Sequence, residues 1–83
     1  MKLDQTVVAT LKPAMMATWN YIGHDVYEMC DGDNLCAVEM VIDADRLDMC
    51  GGDAAANLLV RELCKEHGYS KVLKFLNKHF RFL

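Results

Sequence analysis

Proline occurs once and glycine five times in this chain of 83 residues. The glycines stand where stops are needed, which favours helices separated by short turns. Glycine-rich phosphate loops, GxSxG turns and HExxH pairs are missing, and with them the commonest signatures of nucleotide, acyl-transfer and zinc-protease chemistry. No apolar run approaches the ~20 residues that cross a bilayer. Met1 to Leu11 has neither the cationic start nor the apolar segment of a secretory signal, so a cytoplasmic protein with no membrane partner is the expectation. A chain of 83 residues has room for one core and no second lobe to enclose a substrate, so a single domain over residues 1–83 is expected.

Cations are almost absent from the middle of the chain, and this is its most informative feature. From Asp25 to Asp53 nine carboxylates face one cation, Arg46, a local charge of −8. From Ala54 onward the sign reverses to +4, carried by Arg61, Lys65, Lys71, Lys74, Lys78 and Arg81 against Glu62 and Glu66. Charge sorted in this way steers association and selects the sign of a partner without specifying a reaction.

What the chain has in excess is apolar residues, 53% of the total, including six methionines. Methionine serves both as core filler and on adaptable binding surfaces. Met15, Met16, Met29, Met40 and Met49 are read first as core. The four cysteines, Cys30, Cys36, Cys50 and Cys64, are widely spread and form no Cys-x-x-Cys, so they are read as free, mostly buried thiols. Cys64 and His67, with Cys30, Cys36 and His24, fit no zinc knuckle or ribbon spacing. Asp31 and Asp33 resemble the first ligands of a calcium loop, but Cys36 and Ile42 stand where its glycine and closing glutamate belong. Cys64 with His67 is the one local nucleophile and base pair, and nothing in the sequence supplies an orienting group or an oxyanion site. Cys50, near an expected helix C-terminus, is a poor nucleophile. A non-enzymatic protein without cofactor or metal is expected.

Along the chain, Asp4 can cap a short helix to about Leu11, and Pro13 fits as the first residue of a second. Met15, Trp19, Ile22, Val26 and Met29 then recur at spacings of 4, 3, 4 and 3, one apolar stripe with Trp19 as a core anchor and Gly23 marking a bend or a close contact. Asp31 to Asn34 form a turn, with Asn34 placed to cap a third helix whose inner face is Ala37, Met40, Val41, Ala44 and Leu47 and whose stop is Gly51 and Gly52. Asp53 caps a fourth, with Ala56, Leu59, Val60 and Leu63 inside and a stop at Gly68 after His67. Ser70 begins the last, with Val72, Leu73, Leu76, Phe80 and Leu83 inside. The fold class is all-α, a compact bundle of four or five short helices. The rival is an α+β fold with one hairpin around residues 24–42, its arms Tyr27 to Cys30 and Cys36 to Ile42.

On a helix over residues 35–49, Glu39 and Asp43 repel at four apart, as do Asp45 and Asp48 at three. Asp45 and Asp48 also stand where the helix dipole disfavours anions. An arrangement poor for self-stability suits a binding surface, and carboxylates at helical spacing can stand in for phosphates before lysine and arginine. The partner-binding candidates are Asp25, Glu28, Asp31, Asp33, Glu39, Asp43, Asp45 and Asp48, docking on a larger basic protein that itself belongs to a nucleic-acid-binding complex. The competing account is a plain solvated face or one neutralised by the basic final helix.

Glu62 to Leu76 has a superficial helix-turn-helix order, and Lys71, Lys74, Lys78 and Arg81 are the alternative, nucleic-acid-binding candidates. A net charge of −3 opposes this, because it repels phosphate at long range. Such a nucleic-acid binder is expected to act as a homodimer, which can bury the apolar surplus, and a self-associating structural subunit is a third class. In format, a short acidic single domain rich in methionine without a catalytic signature, the chain is similar to many phage-encoded inhibitors of host proteins. The resemblance is one of composition and implies a non-enzymatic inhibitor or regulator acting through its acidic surface.

Overall fold

The structure is a computed structural model and describes residues 1–44, 46–48 and 54–82. Four α-helices run in order, α1 Gln5–Cys30, α2 Asn34–Asp43, α3 Ala54–His67 and α4 Tyr69–His79, with a 3₁₀ turn Arg46–Asp48 between α2 and α3. Among the described residues there is no strand, and both arms of the alternative hairpin lie within helices, Tyr27 to Cys30 in α1 and Cys36 to Ile42 in α2. The expected caps and stops at Asp53, Gly51 and Gly52, together with Asp45, Met49, Cys50 and Leu83, lie outside the described residues.

Asp4 caps α1 by accepting from the Thr6 amide at 3.0 Å. The helix does not end at Leu11, as the sequence suggested, but continues through Pro13 for 26 residues. An interior proline removes one backbone hydrogen bond and costs about 3 kcal/mol. Continuity survives because the buried stripe keeps its register across the proline: Val7 and Leu11 before it and Ala14, Met15 and Thr18 after it all face the core. Breaking the helix would expose one half of that stripe.

Toward its C-terminus the inward face of α1 differs from expectation by one position. Met29 is 70% exposed and Cys30, at 7%, takes the inner place. Asp31 then adopts a left-handed conformation at φ 50°, donating its amide to Tyr27 O at 3.0 Å, and Gly32 follows at φ 85°. Those two residues reverse the chain. Asp33 caps α2 by accepting from the Cys36 amide at 3.3 Å, so the cap is one residue earlier than Asn34. The same reversal brings the Cα atoms of Cys30 and Cys36 to 5.6 Å, and the two form a disulfide. The reading of four free thiols is therefore corrected at Cys30 and Cys36, while Cys64 is free.

α2 ends at Asp43 and does not run on to Leu47. Leu47 is fully buried, and it reaches the core from the 3₁₀ turn because two buried polar side chains satisfy that turn's backbone. Thr18 Oγ1 donates to Arg46 O at 2.7 Å, and Asn57 Oδ1 accepts from the Leu47 amide at 3.1 Å. Ala44, expected inside, is exposed. α3 buries Ala56, Asn57, Val60 and Leu63. Gly68 at φ 92° then connects α3 directly to α4, which begins at Tyr69 instead of Ser70 and buries Val72, Leu73 and Leu76.

The main core joins Val7, Leu11 and Met15 of α1, Val38 and Val41 of α2, Leu47, Leu63 of α3 and Val72 and Leu76 of α4. A smaller cluster of Val26, Cys30 and Ala37 is closed by half-buried Trp19, Ile22, Cys36, Met40 and Phe82. The radius of gyration is 11.6 Å, close to the ~12 Å expected of a compact chain of this length.

Candidate functional site

Seven of the eight acidic candidates fall on described residues, and all seven are exposed; Asp45 lies outside. Asp25 and Glu28 project from the outer side of α1, Asp31 and Asp33 from the turn, Glu39 and Asp43 from the outer side of α2, and Asp48 from the 3₁₀ turn. They are spread from the outer side of α1 to the far end of α2, where Asp43 meets Tyr69 of α4, and do not gather at one end of the molecule. Asp25 borders a groove of about 230 Å³ lined by Ile22, Val26, Met29, Met40 and Arg46. Asp43 borders a second groove, about 360 Å³, lined by Ile42, Val60, Arg61, Cys64, Lys65 and Tyr69.

Some of these carboxylates have structural work. Asp33 is the cap of α2, Glu28 lies 3.2 Å from His24 Nε2, and Asp43 accepts from the Tyr69 hydroxyl at 2.8 Å. Among the described residues, no lysine or arginine forms an ion pair with Asp25, Asp31, Glu39 or Asp48. Because Asp43 ends α2, the unfavourable dipole interaction expected for Asp45 and Asp48 falls on Asp43, and the Tyr69 hydroxyl offsets it.

Tyr69 pays back in its own titration: partial burial, then the hydrogen bond and charge of Asp43, then the charge of Glu39, raise the phenol well above its ordinary value near 10. Burial, with the charge of Asp43 second, also pushes the Cys64 thiol up. A raised thiol is a weak nucleophile. His67 makes no hydrogen bond to Cys64 among the described residues; its Nε2 lies 2.6 Å from the Met1 carbonyl oxygen, which it meets as a donor. The N-terminal ammonium is held by Glu66 at 2.7 Å, and this bond draws the carboxyl below the usual range. Among the described residues, no group of three His, Cys, Asp or Glu side chains could hold a metal ion.

The basic candidates are more coherent in space. Lys71, Lys74 and Lys78 stand at i, i+3 and i+7 along the exposed side of α4, opposite its buried Val72, Leu73 and Leu76, and Arg81 is exposed just beyond the helix. The helix-turn-helix order is not matched, because Gly68 alone separates α3 from α4 where that motif uses a turn of about three to four residues.

Three exposed apolar side chains were not singled out as surface residues from the sequence. Tyr21, at 58%, and Met29, at 70%, each stand one turn from Asp25 on α1, and Tyr27, at 54%, is exposed on another side of the same helix. The inward face shifts by one position from Met29 to Cys30, which leaves Met29 outside, and an isolated tyrosine carries no periodic mark. No helix among the described residues is long and apolar enough to cross a membrane. No protein-family model, curated protein or solved structure matches the chain.

Proposed function

We propose that this chain is a non-enzymatic, cytoplasmic protein-binding module, an inhibitor or regulator that docks the acidic surface carried by α1, α2 and the turns around them on a basic, nucleic-acid-binding surface of a larger protein. The observation that carries the reading is the exposure of Asp25, Asp31, Glu39 and Asp48 without a neutralising lysine or arginine among the described residues. Exposed Tyr21 and Met29, each one helical turn from Asp25, support it. Tyrosine and methionine are enriched in interfaces and supply the desolvated anchors that charge alone does not.

The test replaces Asp25, Glu39 and Asp48 by their amides. A partner captured by the unaltered chain should bind the variant at least tenfold more weakly at low salt and with a flatter salt dependence, about 1.4 kcal/mol or more of lost attraction. Unchanged affinity and unchanged salt dependence would remove the proposal.

The aligned Lys71, Lys74 and Lys78 favour a second reading, a small regulator that binds DNA or RNA along α4. An oligonucleotide distinguishes the two. It should bind the chain directly if the second reading holds, and should compete with the chain for the partner if the first does.

A further inference from the structure

We propose that Cys36 is a site of thiol–disulfide exchange with low-molecular-weight thiols of the glutathione class, with Cys30 as its resolving partner. The bond joins the last residue of α1 to the first turn of α2. Its two ends are unequally accessible: Cys30 is 7% exposed and lies with Val26 and Ala37, whereas Cys36 is half-buried at the rim of that cluster. An incoming thiolate therefore meets Cys36 first.

In the first step the external thiolate bonds to Cys36 Sγ. The Cys30–Cys36 bond breaks, its electron pair leaves on Cys30 Sγ, and that sulfur takes a proton from water. In the second step another external thiolate attacks the outer sulfur of the mixed disulfide. Cys36, in the first turn of α2, leaves as thiolate and is then protonated by water. Two external thiols become one external disulfide, and the protein gains two electrons and two protons.

Exchange needs a fold that tolerates the open form, and here the turn is held without the bond. The left-handed Asp31 donates to Tyr27 O at 3.0 Å, the Asp33 amide donates to Cys30 O at 3.1 Å, and the Asp33 side chain caps α2. Asn34 anchors the start of α2 to Phe80 O at 2.7 Å. The ring closed by the bond is short, six residues in separation, so the bond restricts the unfolded chain less than a long-range link does. Cys64, with its thiol pushed up by burial and by Asp43, competes poorly. Trp19 and Phe82 close the cluster that contains the bond, so the chain's one tryptophan reports its state.

The experiment uses the full chain carrying Cys50→Ser and Cys64→Ser, equilibrated in glutathione buffers stepped from oxidised to reduced, quenched, alkylated and mapped by mass spectrometry. The expected result is reversible interconversion with helical circular dichroism retained, a change in Trp19 emission that tracks the reduced fraction, and a glutathionyl adduct on Cys36. In the same background, Cys30→Ser should accumulate that adduct, while Cys36→Ser should leave Cys30 unmodified. Reduction only as the helices melt, an adduct on Cys30, or failure of the bond to form in oxidising buffer would each overturn the proposal.

Discussion

The indole of Trp19 and the ring of Phe82 stack with centroids 4.6 Å apart and planes 11° from parallel, joining the middle of α1 to the C-terminal segment beyond α4. The indole lies over Gly23, where an added Cβ would meet Trp19 Cε2 at 2.8 Å. Gly23 thus supplies the space that lets Trp19 lie flat along its own helix. Gly23→Ala gains about 1 kcal/mol of helix propensity and loses about 1 to 3 kcal/mol to overpacking. A net destabilisation and a red-shifted Trp19 emission are expected in urea titration; a more stable variant with unchanged emission would refute the role given to Gly23.

Asn34 holds the C-terminal segment from the other side. Its Nδ2 donates to Asn77 Oδ1 at 2.8 Å and Phe80 O at 2.7 Å, and its Oδ1 accepts from the Phe82 amide at 2.6 Å. Asn34→Ala leaves these groups without their partner and should cost about 2 to 3 kcal/mol. Hydrogen exchange at the Phe82 amide should quicken more than exchange in the middle of α3. Uniform loss of protection would point to a general and not a local role.

Pro13 is exposed in the interior of α1 and deprives Ala9 O of its helical donor. Pro13→Ala should therefore raise stability, by up to about 3 kcal/mol, because the buried stripe already continues past it. Thermal and urea unfolding check this. A loss of stability would mean that packing of α1 depends on the shape proline imposes.

The raised phenol of Tyr69 makes a prediction in alkali. A folded-state value above the unfolded one means a contribution fully present below about pH 10 and lost as pH rises through the folded value, since the unfolded phenol ionises first. Stability should fall above pH 10, and Tyr69→Phe should flatten that fall while losing the bond to Asp43. An identical alkaline profile in the variant would show that Tyr69 is not the group responsible.

Glu39 and Asp43 stand four apart on α2, both exposed, and repel. Glu39→Gln should therefore stabilise the isolated protein by a few tenths of a kcal/mol, while weakening capture of a basic partner. Opposite signs in the two measurements are the mark of a surface kept for binding; a gain in stability with unaltered capture would identify a merely solvated side chain.

Local rules sufficed for much of the architecture. The spacing of Val72, Leu73, Leu76 and Phe80 and that of Ala56, Val60 and Leu63 located two buried faces, and Asp4 its cap, because helical periodicity and capping act within a turn or two of sequence. The exposure of the acidic residues was legible for the same reason, since carboxylates stay in water unless paired. The meeting of Asp43 with the Tyr69 hydroxyl was not.

Everything that joins distant segments required the assembled chain. Whether Pro13 ends a helix depends on what the residues on both sides of it bury together. Whether Asn34 caps or anchors depends on Phe80 and Phe82 arriving beside it, and whether Cys30 and Cys36 bond depends on a left-handed aspartate between them. Sequence spacing carries the local hydrophobic period, whereas the meeting of Trp19 with Phe82 is set by helix packing, a balance of many burial terms that leaves no repeating trace in the residues concerned.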